Sequence, residues 1–236
     1  MSAMPGGPQP AQIPLSREIE ALQVAEIYRN LGVSAVAAFF GTMLCVTVFY
    51  EDGLRARHIL WLAYGTFVAA LRLGICWLHR NAPSTTGLQP VHWARLAVLG
   101  SFLAGIQWGL LGTWLYPEDP GYRQAFTMMV ITCFVGGSVT AYAPVRWAHT
   151  ALALPATLPP TVYIFFIHSG VHPMAGFTAL FFVAMIVYYA FRENDLVVQR
   201  LRAEAFRRRE LQAMQDLAAS ARELPPLDTS LARPYR

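Results

Sequence analysis

The sequence predicts an all-α integral membrane protein, with six transmembrane helices, an amphipathic helix ahead of them and a cytoplasmic helix behind. Three observations carry this prediction. The 236 residues are 55% hydrophobic and only 14% charged, with a mean hydropathy of +0.38, too apolar for an ordinary soluble domain. Six stretches reach the roughly 18 apolar residues that an α-helix needs to cross a bilayer. Arginines gather in alternate connections between those stretches.

Residues 1–15 are rich in Pro and Gly and lack a basic start followed by an apolar core, so they are expected to be disordered and not a cleaved signal peptide. Ser16 is placed to cap a helix whose first turn carries Glu18 and Glu20, matching the positive helix end. Ile19, Leu22, Ala25 and Tyr28 recur at helical spacing, giving an amphipathic helix that either lies on the inner membrane surface or extends the first span. The spans are expected at 31–50, 59–78, 96–116, 125–143, 148–167 and 174–191, in a membrane domain of residues 16–191. No connection is long enough for a globular domain, so an enzymatic output would have to sit on another chain.

Arg17, Arg29, Arg80, Arg95 and Arg146, with every Arg after the sixth span, fall on one side, and only Arg55, Arg57 and Arg123 on the other. Both termini are therefore expected in the cytoplasm, with the first span retained as a signal anchor. The formal net charge of +4 comes entirely from Arg, as no Lys occurs. Lying beside apolar spans, this charge points to anionic lipid headgroups and away from nucleic acid. Cys45, Cys76 and Cys133 lie inside apolar stretches, which leaves neither a disulfide framework nor a paired-cysteine metal site.

After the sixth span the chain turns polar and rich in Ala, Leu, Glu, Arg and Gln, without Gly or Pro, so residues 192–224 should continue as one cytoplasmic helix. Leu211, Met214, Ala218 and Ala221 repeat as a short coiled-coil seam would, which admits a homodimer. Arg207, Arg208 and Arg209 suit phospholipid headgroups. Pro225 and Pro226 stop the helix, and 225–236 is expected to be a disordered tail. The start at Met1 and that tail suggest a complete protein.

Arg72 is the only charged residue within a span. A charge at membrane depth is a candidate for gating or ligand binding; the alternatives are snorkelling to the interface or pairing with a backbone carbonyl. Gln107 needs a partner at mid-membrane, Trp108 beside it is a candidate pocket wall, and both join Arg72 as candidates for ligand binding or gating. Ser101, Gly105, Gly109 and Thr113 lie four apart in the third span, as do Thr132, Gly136 and Thr140 with Gly137 in the fourth. Small residues at this interval let backbones approach, so these two spans are expected to pack together, a pocket or dimer interface being the alternative. Pro155, Pro159 and Pro160 should kink the fifth span. Trp61, Trp77, Trp93, Trp114 and Trp147 are expected in an interfacial aromatic belt. His168 and His172 are four apart but have Gly170 between them and no third ligand nearby, so neither metal nor another cofactor is expected. Hydrolase, Walker and zincin signatures and paired intramembrane carboxylates are all absent, which argues against an enzyme.

Taken together, QVAEIYRNLGVSAVAAFFGTML, the second-span WL with its downstream LR, WARLAVLGSFLAGIQWGLLGTWLYP, the small-residue fourth span and ALPATLPP resemble the N-terminal membrane sensor region of bacterial diguanylate cyclases and hybrid histidine kinases. The resemblance runs from Ala21 to Leu217. It implies a six-helix sensor fold in a bacterial inner membrane, followed by a signalling helix. No GGDEF, EAL or kinase phosphoacceptor motif is present, so it implies neither cyclase nor kinase activity. The expected function is a non-catalytic sensor that signals through its last helix to a separate protein partner. A structural or assembly subunit of a larger membrane complex is the alternative, and a small transporter rests on the proline-bearing fifth span alone.

Overall fold

The computed structural model describes residues 14–49, 55–81, 89–118, 121–166 and 173–223. They form α1 (Leu15–Phe49), α2 (Arg55–Asn81), α3 (Pro90–Leu111), α4 (Tyr122–Gly137), α5 (Val139–Tyr142), α6 (Ala148–Phe166) and α7 (Pro173–Glu223), with no strand among the described residues. Three helices, α1, α2 and α3, are long and apolar enough to cross a membrane. The residues before Pro14, the tail from Leu224, the acidic Glu51 and Asp52, and the pair His168 and His172 lie outside the described residues.

Several boundaries differ from the sequence expectation. No separate surface helix precedes the first span, because α1 continues unbroken through Asn30 and Leu31. Ser16 is not its cap, as the helix begins at Leu15 and the Pro14 carbonyl accepts the amides of Arg17 and Glu18 at 3.0 and 3.2 Å. The third span ends early, at Leu111, where Gly112 opens a turn that the Leu115 amide closes onto the Leu110 carbonyl at 3.1 Å. The fourth span is divided between α4 and α5 at Ser138, just after Gly136 and Gly137, the weakest helix formers in the segment.

α1, α2 and α3 pack in layers spaced about two helical turns apart. Val24, Tyr28, Leu31, Ala35, Ala38, Thr42, Cys45 and Phe49 are buried along α1, alternating by four and three as in a coiled-coil seam. Tyr28 stacks on His79 at 4.3 Å and donates to the Trp93 carbonyl at 3.0 Å. Two turns on, Arg72 lies between Ser34 and Gly100. Two turns further, Thr42 accepts from Gln107, whose side chain lies over Gly65. Beyond that, Phe49 stacks on His58. Numbers rise along α1 and α3 and fall along α2, so α2 is antiparallel to both. Two expected belt residues belong to this core: Trp61 and Trp93 are buried, whereas Trp77, Trp114 and Trp147 are exposed.

The glycine face of α3 packs against α6 rather than the expected α4. A Cβ on Gly105 would overlap the Leu152 carbonyl and Pro155 Cγ, one on Gly109 the Pro155 carbonyl, and one on Gly112 would lie 2.6 Å from Pro160 Cγ. Proline chemistry explains this choice of partner. Pro159 has no N–H, so the Pro155 carbonyl lacks its helical donor, and a side-chain-free Gly109 lets α3 close over it. Around the prolines, α6 remains a continuous helix. Gly136 and Gly137 have open space where a Cβ would stand. Gly109→Ala is therefore expected to destabilise the bundle by about 1–3 kcal/mol, while Gly136→Ala, with open space and a better helix former, does not destabilise it, as read by thermal unfolding in detergent.

α7 is a single 51-residue helix. Its Leu201 and Ala205 are buried, and Arg209 bridges Glu18 of α1 at 2.7 Å. Past this point Leu211, Met214 and Ala218 of the expected seam are exposed.

Candidate functional site

Arg72 is 1% exposed, so it does not snorkel to an interface. Its Nη2 donates to Ser34 Oγ of α1 at 3.1 Å and to the Tyr142 hydroxyl of α5, and the guanidinium lies over the Tyr142 ring at 5.6 Å. The Ser34 and Tyr142 hydroxyls are themselves 2.9 Å apart and hydrogen-bonded. Gly100 makes room for the arginine stem, since a Cβ there would lie 3.2 Å from Arg72 Cγ. Nε and Nη1 have no hydrogen-bond acceptor, which leaves three of the five guanidinium N–H groups unmatched. No Asp or Glu occurs between Asp52 and Glu118 or between Asp119 and Glu193. Among the described residues the partners given to this charge are two hydroxyls and a ring face, with no carboxylate, a costly arrangement at low dielectric.

Gln107 and Trp108 belong to a separate layer, since Gly65 beneath Gln107 and Arg72 are seven residues apart on α2, about 10 Å along the axis. Gln107 Nε2 donates to Thr42 Oγ1 at 2.6 Å, and Trp61 Nε1 donates to the Gln107 carbonyl at 2.7 Å. The Thr42 hydroxyl in turn donates to the Ala38 carbonyl at 2.8 Å. Trp108 is fully buried, packed on Phe134 at 4.4 Å and edge-on to Trp61 at 6.0 Å. Gln107 thus ties α3 to α1 through its side chain and to α2 through its backbone carbonyl.

Beside the Arg72 layer, between α1 and the α4–α5 break, lies a cavity of about 510 Å³ whose lining includes Asn30, Ser34, Phe134, Gly137, Ser138 and Thr140. Two of the expected small residues, Gly137 and Thr140, thus line a pocket; Thr132 lines another, with Thr157 and Pro160. Ser101 and Thr113 turn their hydroxyls back to the carbonyls of Ala97 and Gly109 on their own helix.

Two further residues that sequence reasoning did not single out complete the site. Tyr142 ends α5, and the next carbonyl, of Ala143, accepts Asn194 Nδ2 of α7 at 2.7 Å. The Pro144 carbonyl accepts Asn194 again at 3.3 Å and Gln23 Nε2 of α1 at 2.8 Å. No side-chain pattern marks Ser34, Tyr142 or Asn194; only their polarity at the margins of apolar stretches sets them apart. His149, buried, lies 3.0 Å from the Val135 carbonyl through Nε2. Among the described residues no group of His, Cys, Asp or Glu could hold a metal.

Comparison with protein-family models, with curated proteins and with solved structures finds no match.

Replacing Arg72 with a neutral residue removes an ion whose desolvation is poorly repaid, so Arg72→Leu is expected to insert normally and to melt no lower than the wild type. A large fall in melting temperature would instead make Arg72 a stabilising residue.

Proposed function

We propose that this chain is a non-catalytic sensor or signal-transduction domain of a bacterial inner membrane, relaying a conformational change at Arg72 through α7 to a separate protein partner. One observation carries the reading: Tyr142, which accepts from Arg72, is followed at once by Ala143, whose carbonyl holds Asn194 of α7. The four-residue α5, set off by the break at Ser138 and by Pro144, is an element short enough to move as a unit. Any change in how Arg72 is satisfied acts on Tyr142 and, one residue later, on the helix that leaves the bundle.

The reading takes six crossings, with α4 and α5 together, α6 and the first half of α7 joining α1, α2 and α3. Exposed Met129, Leu158, Val162, Phe177 and Phe181 support it, because such side chains belong against lipid. The arginine distribution then puts both termini in the cytoplasm. The resemblance to sensor regions of cyclases and kinases supplies the context. A structural or assembly subunit is the second reading, favoured by the exposed Leu211, Met214 and Leu217, which offer a seat for another subunit or a second copy. A small transporter is the less favoured alternative and rests on the proline-bearing α6 alone.

Amide hydrogen exchange on the whole protein in lipid nanodiscs tests the relay. Arg72→Leu is expected to change exchange in α7 between Asn194 and Arg209 by about fivefold or more, and Asn194→Ala to erase the difference. Unchanged α7 exchange in Arg72→Leu would refute the relay and leave the assembly reading.

A further inference from the structure

Arg207, Arg208 and Arg209 are adjacent in sequence, but the fold gives them three different surroundings. Arg209 bridges Glu18 at 2.7 Å, Arg207 is exposed, and Arg208 lines a cavity of about 420 Å³ between α1 and α7. Arg29 of α1 and Arg200 of α7 line the same cavity, together with Glu26 and Glu204. Backbone polar groups inside helices are spent on one another, so these five side chains supply the polar part of the wall, beside apolar Leu22 and buried Leu201. Among the described residues no hydrogen bond or ion pair engages the guanidinium of Arg200 or Arg208, and Arg29 meets Glu26 only at 3.5 Å. Three cations against two carboxylates leave one positive charge in excess. On α1 the lining runs from Leu22 to Arg29, seven residues or about 10 Å, and ends where the first span is expected to begin.

We infer that this cavity binds a phosphate ester of net negative charge, held by Arg29 of α1 together with Arg200 and Arg208 of α7. Guanidinium groups suit phosphate because their paired N–H donors match two of its oxygens. The space is of ordinary ligand size. A zwitterionic head brings a cation of its own and leaves the excess charge unmet, whereas an anionic ester removes it and joins the two helices across the cavity. Two sources share this chemistry: the head of an anionic phospholipid in the adjoining leaflet, and a soluble polyol phosphate. The site goes beyond the Arg72 relay and uses the sensor reading only for the side of the membrane it faces. In detergent both sides are open to solution, so binding and that reading fail separately.

The test is native mass spectrometry of the whole protein in detergent, titrated separately with dioctanoyl phosphatidylglycerol, dioctanoyl phosphatidylcholine and glycerol 1-phosphate. Arg29→Gln, Arg200→Gln and Arg208→Gln each remove one lining cation at an exposed position, and Arg207→Gln removes the same charge one residue outside the cavity. Saturable binding of an anionic ester is expected, weakened about tenfold or more by each lining variant and within about twofold of the wild type in Arg207→Gln. Tighter binding of phosphatidylglycerol than of glycerol 1-phosphate assigns the site to a lipid head, and equal or tighter binding of glycerol 1-phosphate assigns it to a soluble ester; either result supports the site. Equal binding of phosphatidylcholine would overturn it, as would failure of both esters to bind or undiminished binding in the lining variants. An equal loss in Arg207→Gln would also overturn it, being the mark of a diffuse basic surface.

Discussion

An arginine cation buried in a membrane bundle without a carboxylate to meet it is the constraint around which the helices are arranged. Arg72 draws acceptors from two other helices, Ser34 from α1 and Tyr142 from α5, and needs a glycine on a third, Gly100 of α3, to make room for its stem. Four elements are therefore fixed relative to one side chain. Removing a charge from water costs several kcal/mol even after relaxation, and two hydroxyls with one ring face offset only part of that. Such a site is poorly explained as a stabilising feature.

The rest of the bundle follows from the lack of hydrophobic drive between helices in lipid. Apolar residues gain little from facing one another when lipid tails are equally apolar, so close contact is made where side chains are smallest. Gly105, Gly109 and Gly112 admit the proline side of α6, and the carbonyl freed by Pro159 meets a glycine. This contact holds α6 against α3, leaving α4 and α5 less tightly enclosed beside α1. The cavity opens there, next to Ser34, at the break where Gly136, Gly137 and Ser138 loosen the helix.

The three helices long and apolar enough to cross a membrane were legible in the sequence because hydropathy and length depend on composition alone. Arg72 was legible for the same reason, as a lone charge in an apolar run. Which way each helix faces was not, because exposed Val33 and Phe40 are as apolar as the core residues of α1, so the seam from Val24 to Phe49 is hidden. The glycine face of α3 could be read, but not its partner: the fourth span carried the matching small residues, whereas the sixth helix carried prolines whose missing donors made the better fit. Trp61 and Trp93 show the same limit, since distance from a span end gives depth but not side. Ser34, Tyr142 and Asn194 come from three separate helices, and only tertiary packing brings them near one another.

A double-mutant cycle between Arg72 and Tyr142, with unfolding free energies measured on the full chain, addresses the central interaction most directly. Tyr142→Phe should destabilise the wild type by about 1–3 kcal/mol, because it strips an acceptor from a buried cation, and should be close to neutral once residue 72 is leucine. The coupling would then account for nearly the whole effect of losing the hydroxyl. Equal costs in both backgrounds would mean that the tyrosine does not balance the arginine, and the route from the buried charge to α7 would fall with it.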